Sequence, residues 1–292
     1  MEIRVLRYFL TVIQEQNISR AATKLHISQP TISRQLHDLE DELDVTLFER
    51  GSRTIALTAS GTYFAQQARQ IVALADKTIY NIQKTTTLSG NVSIGGGEVP
   101  SITTIAQAAK TLTNQHPQVT FQLSSLNADD VKRQLAAGLL DFGLLVGHVD
   151  KERLNFINLP SHSHWGLLLP KTSTLAKHAQ IVPTDLFTVP LMMSYQRGVN
   201  TEIADWFGQN ITQLNVIATY NLLYNATKFV EAGIGAAIAI EGIYNTASTA
   251  LAFVPLADIP PVAVNLVWSK DLSLTTAAQA FLHAVQEALA PS

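Results

Sequence analysis

The sequence predicts an α/β protein: an N-terminal winged helix-turn-helix over residues 1–58, a long linker helix over 59–90 and a C-terminal two-subdomain α/β domain over 91–292. Three observations predict it. Residues 19–43, SRAATKLHISQPTISRQLHDLEDEL, hold two helix-forming stretches separated by a tight turn. Apolar residues then recur at steps of three and four from Ala65 to Ile82. From Asn91 onward, short apolar runs alternate with amphipathic ones, as strands interleaved with helices do.

Taken in order, Leu6, Phe9, Leu10 and Ile13 give an opening helix one apolar face that ends near Gln16-Asn17. Ser19 is the expected cap of the second helix, whose Ala21, Ala22 and Leu25 allow close packing. His26-Ile27 forms the turn. Ser28 caps the third helix, and Pro30 is tolerated in its first turn, where N–H groups lack helical partners. Ile32, Leu36, Leu39 and Leu43 step by four, three and four and form the buried stripe of that helix.

The opposite face presents Gln29, Thr31, Ser33, Arg34 and His37. Gln can bond adenine bidentately and Arg guanine, while hydroxyls reach phosphates or base edges, so this face has the chemistry of a recognition helix. The acidic run from Asp38 to Asp44 cannot face phosphate, which confines contact to the N-terminal part of the helix. Next, Leu47 to Thr58 has a Gly51-Ser52 turn between short extended arms. It is expected to form a two-stranded wing, with Arg50 on the DNA backbone and Arg53 near a minor groove.

The combination AATKLHISQPTISRQLHDLEDELDVTLFER followed by LTASG resembles the winged helix-turn-helix of LysR-type transcriptional regulators over roughly the first 65 residues. That resemblance implies a DNA-binding regulator, not an enzyme, with Gln29, Pro30, Thr31, Ser33 and Arg34 at the DNA and Arg50 and Arg53 in support; the helix start at Ser28 and the polar face at His37 add those two residues to the expected DNA-binding set. Many members carry Ala where this chain has Thr31 and Gln where it has Arg34, so base preference does not transfer. The implied partners are double-stranded promoter DNA, a small-molecule effector, further copies of the chain as a homodimer or homotetramer, and RNA polymerase. The alternative is a small-molecule-binding protein or enzyme with a vestigial DNA-binding domain.

Thr58 is placed to cap the linker helix, which is expected to run to about Leu88 before Ser89-Gly90 stops it. Ala65, Ala68, Val72, Ala75, Ile79 and Ile82 have the period of a coiled-coil seam, so this helix is expected to pair with its copy. Two recognition helices can then read half-sites about one or more DNA turns apart.

In the C-terminal part, strands are expected near Val92–Gly95, Val119–Ser124, Phe142–Val146, Trp165–Leu169, Leu191–Ser194, Asn215–Thr219, Gly235–Ile240 and Val262–Trp268. Helices begin near Ser101, Asp129, Thr201, Leu222 and Thr275. The alternation implies largely parallel sheets in two subdomains facing a crevice. This agrees with the effector domain of the same family, which is similar to type 2 periplasmic binding proteins. Ligands of open α/β sheets bind beyond the carboxyl ends of strands. Those positions are Gly97, Glu98 and Ser101; Val146 and His148; Ser194, Gln196 and Arg197; and Thr219 and Asn221. Arg197 suits a carboxylate or phosphate, whereas Glu98 in the same mouth disfavours a simple anion and leaves room for a cationic or polar ligand.

Composition removes other classes. Hydrophobic residues at 47% and charged residues at 15% exclude general disorder. The formal charge of −3 hides an asymmetry: residues 1–90 carry ten Lys or Arg against nine Asp or Glu, and the remainder ten against fourteen, so the acidic excess belongs to the second part. The absence of cysteine excludes disulfides and thiolate metal sites. Neither a signal-peptide core nor an apolar run of about 18 residues occurs, so a bacterial-type cytoplasm is expected, with no membrane contact. The glycines at 95–97 and at 233 and 235 lack the rest of a dinucleotide fingerprint, and His162 and His164 lack a third metal ligand. No metalloprotease, serine-hydrolase or phosphate-loop motif is present, and no cofactor is implied.

Overall fold

The structure, a computed structural model, describes residues 1–49, 55–82, 87–208 and 213–290, and of residues 80–82 and 197–201 it describes the backbone alone. The chain divides into two compact units, Met1–Lys84 and Thr85–Ser292.

The first unit contains α1 (Ile3–Glu15), α2 (Ile18–Leu25), α3 (Gln29–Leu43) and α4 (Ala59–Ile82). Val5, Leu6, Phe9 and Val12 are the buried face of α1, which ends at Gln16 in the left-handed region, φ 52°. The cap of α2 is Asn17, whose side chain accepts from the Arg20 N–H; the expected cap, Ser19, lies inside the helix. Asn is as good a cap as Ser, and its placement one residue before Ile18 decides between them. His26 turns the chain at φ 54°, and Ser28 caps α3 by accepting from the Thr31 N–H at 3.3 Å. Ile32, Leu36 and Leu39 are buried, and Leu43 is half-buried. Phe9 centres this core, with ring centroids 5.3 Å from Phe48 and 5.0 Å from Phe64.

Beyond α3, Glu40 Oε1 accepts from the N–H groups of Leu47 at 2.6 Å and Phe48 at 3.2 Å, tying the chain back to the recognition helix. Phe48 and Leu57 form an antiparallel bridge at the base of the expected wing, whose tip lies outside the described residues. The Thr58 hydroxyl accepts from the Gly61 N–H at 2.9 Å and so caps α4. Gly61 is required there, since a Cβ would stand 2.0 Å from the Leu47 carbonyl oxygen.

At 24 residues, α4 is about 36 Å long. It does not reach Leu88, since Thr87–Ser89 are non-helical. The expected pairing seam is also divided. Ala65 and Ala68 are buried in the core of their own unit and Val72 is half-buried there, whereas Ile79 on the same face is 51% exposed. Tyr63, Ile71 and Leu74 are exposed apolar residues on the other side.

The second unit opens with β1 (Gly90–Gly96), α5 (Ile102–Gln115), β2 (Val119–Ser125), α6 (Ala128–Ala136), β3 (Phe142–Val146) and β4 (Leu154–Leu159). It continues with β5 (Trp165–Pro170), β6 (Leu191–Ser194), α7 (Arg197–Phe207), β7 (Val216–Tyr220), α8 (Leu223–Glu231), β8 (Ala236–Ile240), β9 (Leu251–Pro255), β10 (Val264–Ser269) and α9 (Thr276–Leu289). Among the described residues these strands form two five-stranded sheets, ordered β2-β1-β3-β10-β4 and β7-β6-β8-β5-β9.

The sheets are mixed, which corrects the expectation of largely parallel ones. β10 runs antiparallel to β3 and β4, and β5 antiparallel to β8 and β9. The cause is the chain path: it passes from the first sheet to the second through 160–164 and back through 256–263, and each arriving strand enters from the opposite end. β4 and β9, which the sequence pattern did not predict, are edge strands, and edges tolerate the exposed Asn and half-buried positions that break an apolar run. In the first sheet's core, Phe281 of α9 packs 5.2 Å from Phe121 and 5.3 Å from Phe142.

Candidate nucleic-acid interface and effector crevice

In the first unit, α3 places Gln29, Pro30, Thr31, Arg34 and His37 on an exposed surface, with Ser33 half-buried between them. At 100° per residue, Pro30, Ser33, Arg34 and His37 form one arc opposite Ile32, Leu36 and Leu39. The Ser28 and Thr31 hydroxyls are 2.7 Å apart, and Gln29 Nε2 donates to Ser33 Oγ at 3.5 Å. The side chain of Arg34 is 83% exposed, and its Nε stands 3.9 Å from Asp38, a contact too long to hold it. His37 stands 3.7 Å from Asp41. By contrast, Arg7 donates to Asp76 at 3.1 Å and Lys24 to Glu15 at 2.7 Å, which holds the Glu15 carboxyl below the usual range. Arg34 is therefore an exposed cation with no short ion pair among the described residues. Arg50 and Arg53 lie outside the described residues.

In the second unit a crevice of about 610 Å³ opens between the carboxyl ends of β1 and β2, on one side, and the start of α8 with the segment after β8, on the other. A recess of about 60 Å³ adjoins it toward β6 and β7. Gly97 and Glu98 border both. A Cβ at Gly97 would meet nothing within 4 Å, so the backbone there is open to the crevice.

Gln196 bridges the two subdomains. Its Oε1 accepts from the Ala128 N–H of α6 at 3.1 Å, its Nε2 donates to the Asn221 carbonyl at 3.1 Å, and its own N–H donates to Ser194 Oγ at 3.2 Å. Within the second subdomain, Trp165 Nε1–H donates to Glu202 at 2.8 Å. Glu202 sits so close to Gly147, at φ 77°, that a Cβ there would stand 2.3 Å from its carboxylate. Tyr220 gives its hydroxyl proton to the Ile238 carbonyl, and burial pushes that hydroxyl far above its usual titration range, which makes it an anchor and not an acid or base.

Of the ten expected effector residues, Gly97, Glu98, Val146, Ser194, Gln196 and Asn221 line the crevice or its recess. Ser101 is buried and donates to the Pro160 carbonyl at 3.0 Å, and His148 and Thr219 are exposed elsewhere. Arg197 begins α7, and its side chain lies outside the described residues. The sequence reading missed Trp165, Tyr220, Leu223, Tyr224, Ile243 and Tyr244. The strand-end rule would have reached Ile243 and Tyr244, since β8 is parallel to β6 and ends at the same edge. Among the described residues no cluster of His, Asp or Glu could hold a metal ion, and His164 stands 3.2 Å from Glu241. No helix there is long and apolar enough to cross a membrane.

Comparison with known proteins gives these two sites a family. Residues 3–62 match the bacterial regulatory helix-turn-helix protein, lysR family, and residues 85–290 match the LysR substrate binding domain. The chain is similar to the Hca operon transcriptional activator HcaR of Escherichia coli, 29% identical over 99% of both chains. It is also similar to the transcriptional regulator TfdT of Cupriavidus pinatubonensis, 30% identical over 70% of this chain and 90% of that one. In fold it resembles full-length CbnR solved with its target DNA, with a TM-score of 0.76 at 22% identity, over 99% of this chain and 100% of that one. A helix-turn-helix unit and an effector-binding α/β unit on one chain, each matched along most of its length, make this protein a DNA-binding transcriptional regulator and a member of the LysR family.

Proposed function

We propose that the chain binds double-stranded promoter DNA as a homodimer, assembling further into a homotetramer, and that a small molecule in the crevice changes how the paired recognition helices meet the DNA. The observation that carries this is the exposed polar arc of α3 opposite its buried stripe, with Arg34 held by no close partner among the described residues. Gln29, Thr31, Ser33, Arg34 and His37 read bases or phosphates from it; Ser28 and Pro30 set the helix entry; Arg50 and Arg53 add backbone and minor-groove contacts. The exposed Tyr63, Ile71, Leu74 and Ile79 on α4 support pairing of two copies. Gly97, Glu98, Val146, Ser194, Gln196 and Asn221 contact the effector, and Arg197 follows Gln196 at the start of α7; Ser101, His148 and Thr219 lie outside the crevice lining. In the cytoplasm of a bacterium such a complex acts through contact with RNA polymerase.

The test is binding of the full-length chain to a fragment from upstream of its own gene and to random DNA of equal length, at one salt concentration. Preferential, salt-dependent binding is expected. Equal affinity for both fragments sinks the proposal.

A further inference from the structure

The charges on the described residues that line the crevice differ from those an anionic effector needs. Among the described lining residues, Glu98 is the only one with a formal charge at neutral pH. It is exposed, and none of the described residues forms an ion pair with it. Nearby, Lys228 stands 5.7 Å over the ring of Tyr224, but Glu231 matches its charge at 2.9 Å, and the Tyr244 hydroxyl donates to the same carboxylate at 2.8 Å. Tyr224 and Tyr244 both line the crevice, and the first already offers its ring to an ammonium.

The backbone donors that an anion would use are largely occupied. The Ala128 N–H at the start of α6 is taken by Gln196, the Asp130 N–H by Asn127 at 2.9 Å, and Asp129 and Asp130 offset the helix dipole in the same turn. At the start of α5 the N–H groups of Ile102, Thr103 and Thr104 donate to the carbonyls of Val99, Pro100 and Ser101 at 3.1–3.2 Å. α5, α7 and α8 all begin here without a side-chain cap; the first-turn N–H groups of α5 are already bonded, and an uncapped end carries about half a positive charge against the full negative charge of Glu98.

We infer that the crevice takes an organic cation, a compound with a primary ammonium on an apolar body, its ammonium on Glu98 and its body against Leu223, Ile243 and the rings of Tyr224 and Tyr244. A charge-assisted hydrogen bond to the carboxylate and the negative face of a tyrosine ring both favour an ammonium. The apolar walls take the remainder. This rests on the proposed effector site and specifies its ligand class.

The test uses the full-length chain and two matched trios: tryptamine, indole-3-propionate and indole-3-propanamide; and hexylamine, hexanoate and hexanamide. Isothermal titration is expected to find an ammonium compound that binds about ten-fold tighter than its matched acid. Glu98→Gln is expected to remove about that factor from ammonium binding, and Glu98→Lys to reverse the order in favour of the acid. Because Glu98 is exposed, the ligand-free melting temperatures of both variants should match the unaltered chain, which confirms folding. The inference is overturned if the acids bind as well as the ammonium compounds, if neither amine binds, or if ammonium binding survives Glu98→Gln unchanged. Promoter binding measured on the same samples separates the failures. A chain that prefers acids yet still recognises its promoter overturns only the ligand class, whereas one that does not recognise its promoter overturns the proposed function.

Discussion

The two units carry their sites in opposite ways. The α3 face is convex and continuous in sequence: ten residues, Ser28 to His37, hold every contact proposed for it, and one helix sets their directions. The crevice is concave and discontinuous, with walls drawn from the ends of β1 and β2, the bridge at Gln196, the start of α8 and the segment after β8. A convex face works when its side chains are left free, as Arg34 is. A crevice works when its walls are held, as Gln196, Trp165 and Tyr220 hold them. The same kind of side-chain truncation should therefore damage the first site by losing contact and the second by losing geometry.

The sharpest way to break this contrast is a pair of core truncations. Phe9→Ala empties the space against Phe48 and Phe64, Phe281→Ala that against Phe121 and Phe142, and each costs about 3–5 kcal/mol. In calorimetry each should lower the melting transition of its own unit; a single transition lowered equally by both would show that the two units unfold as one. Arg34→Ala comes next, with about 1–3 kcal/mol lost from promoter binding and a shallower salt dependence. Its melting temperature should stay put, because the side chain is 83% exposed; a parallel drop in stability would make Arg34 a structural residue.

Gln196→Ala should act in the reverse sense, costing about 1 kcal/mol in stability of the second unit by leaving the Ala128 N–H without its acceptor. Hydrogen exchange at Ala128 should quicken, and unchanged protection would remove Gln196 as a bridge. The smallest effect belongs to Glu231, whose carboxyl is held below its usual range by hydrogen bonds from Lys228 and then Tyr244. A depressed folded value stabilises the protein above the ordinary carboxylate range, and that contribution is lost as pH falls through the folded value. Melting temperatures of the unaltered chain and Glu231→Gln should differ slightly at neutral pH and converge on acidification. The pair is solvent-exposed, so the difference is small. A gap that persists in acid would assign the effect to packing.

The contrast also explains what could be read in advance. The helix-turn-helix was legible because its signals are local: a cap at Ser28, left-handed His26 in the turn and a stripe at Ile32, Leu36 and Leu39 each depend on neighbours within a few residues. The cap at Asn17 instead of Ser19 was a miss of the same local kind, since two adequate capping residues stand two apart. In the second unit the strands with continuous apolar runs were legible, but β4 and β9 were not, nor were the antiparallel partners. Strand direction follows from where the chain crosses between sheets, and no local pattern encodes it. Trp165 and Leu223 escaped because they meet the end of β1 only through the crossing at 160–164, whereas Ile243 and Tyr244 stand at a strand end that the strand-end rule could have reached.

The divided face of α4 sets a rule for exchanging parts between regulators of this kind. Phe64, Ala65 and Ala68 belong to the same core as Phe9, and Arg7 of α1 reaches Asp76 three turns further along the helix. A chimera cut after Thr58 would carry away the recognition helix but leave behind the floor on which it stands. The first compact unit runs to Lys84, and a graft joined beyond that residue should keep its fold.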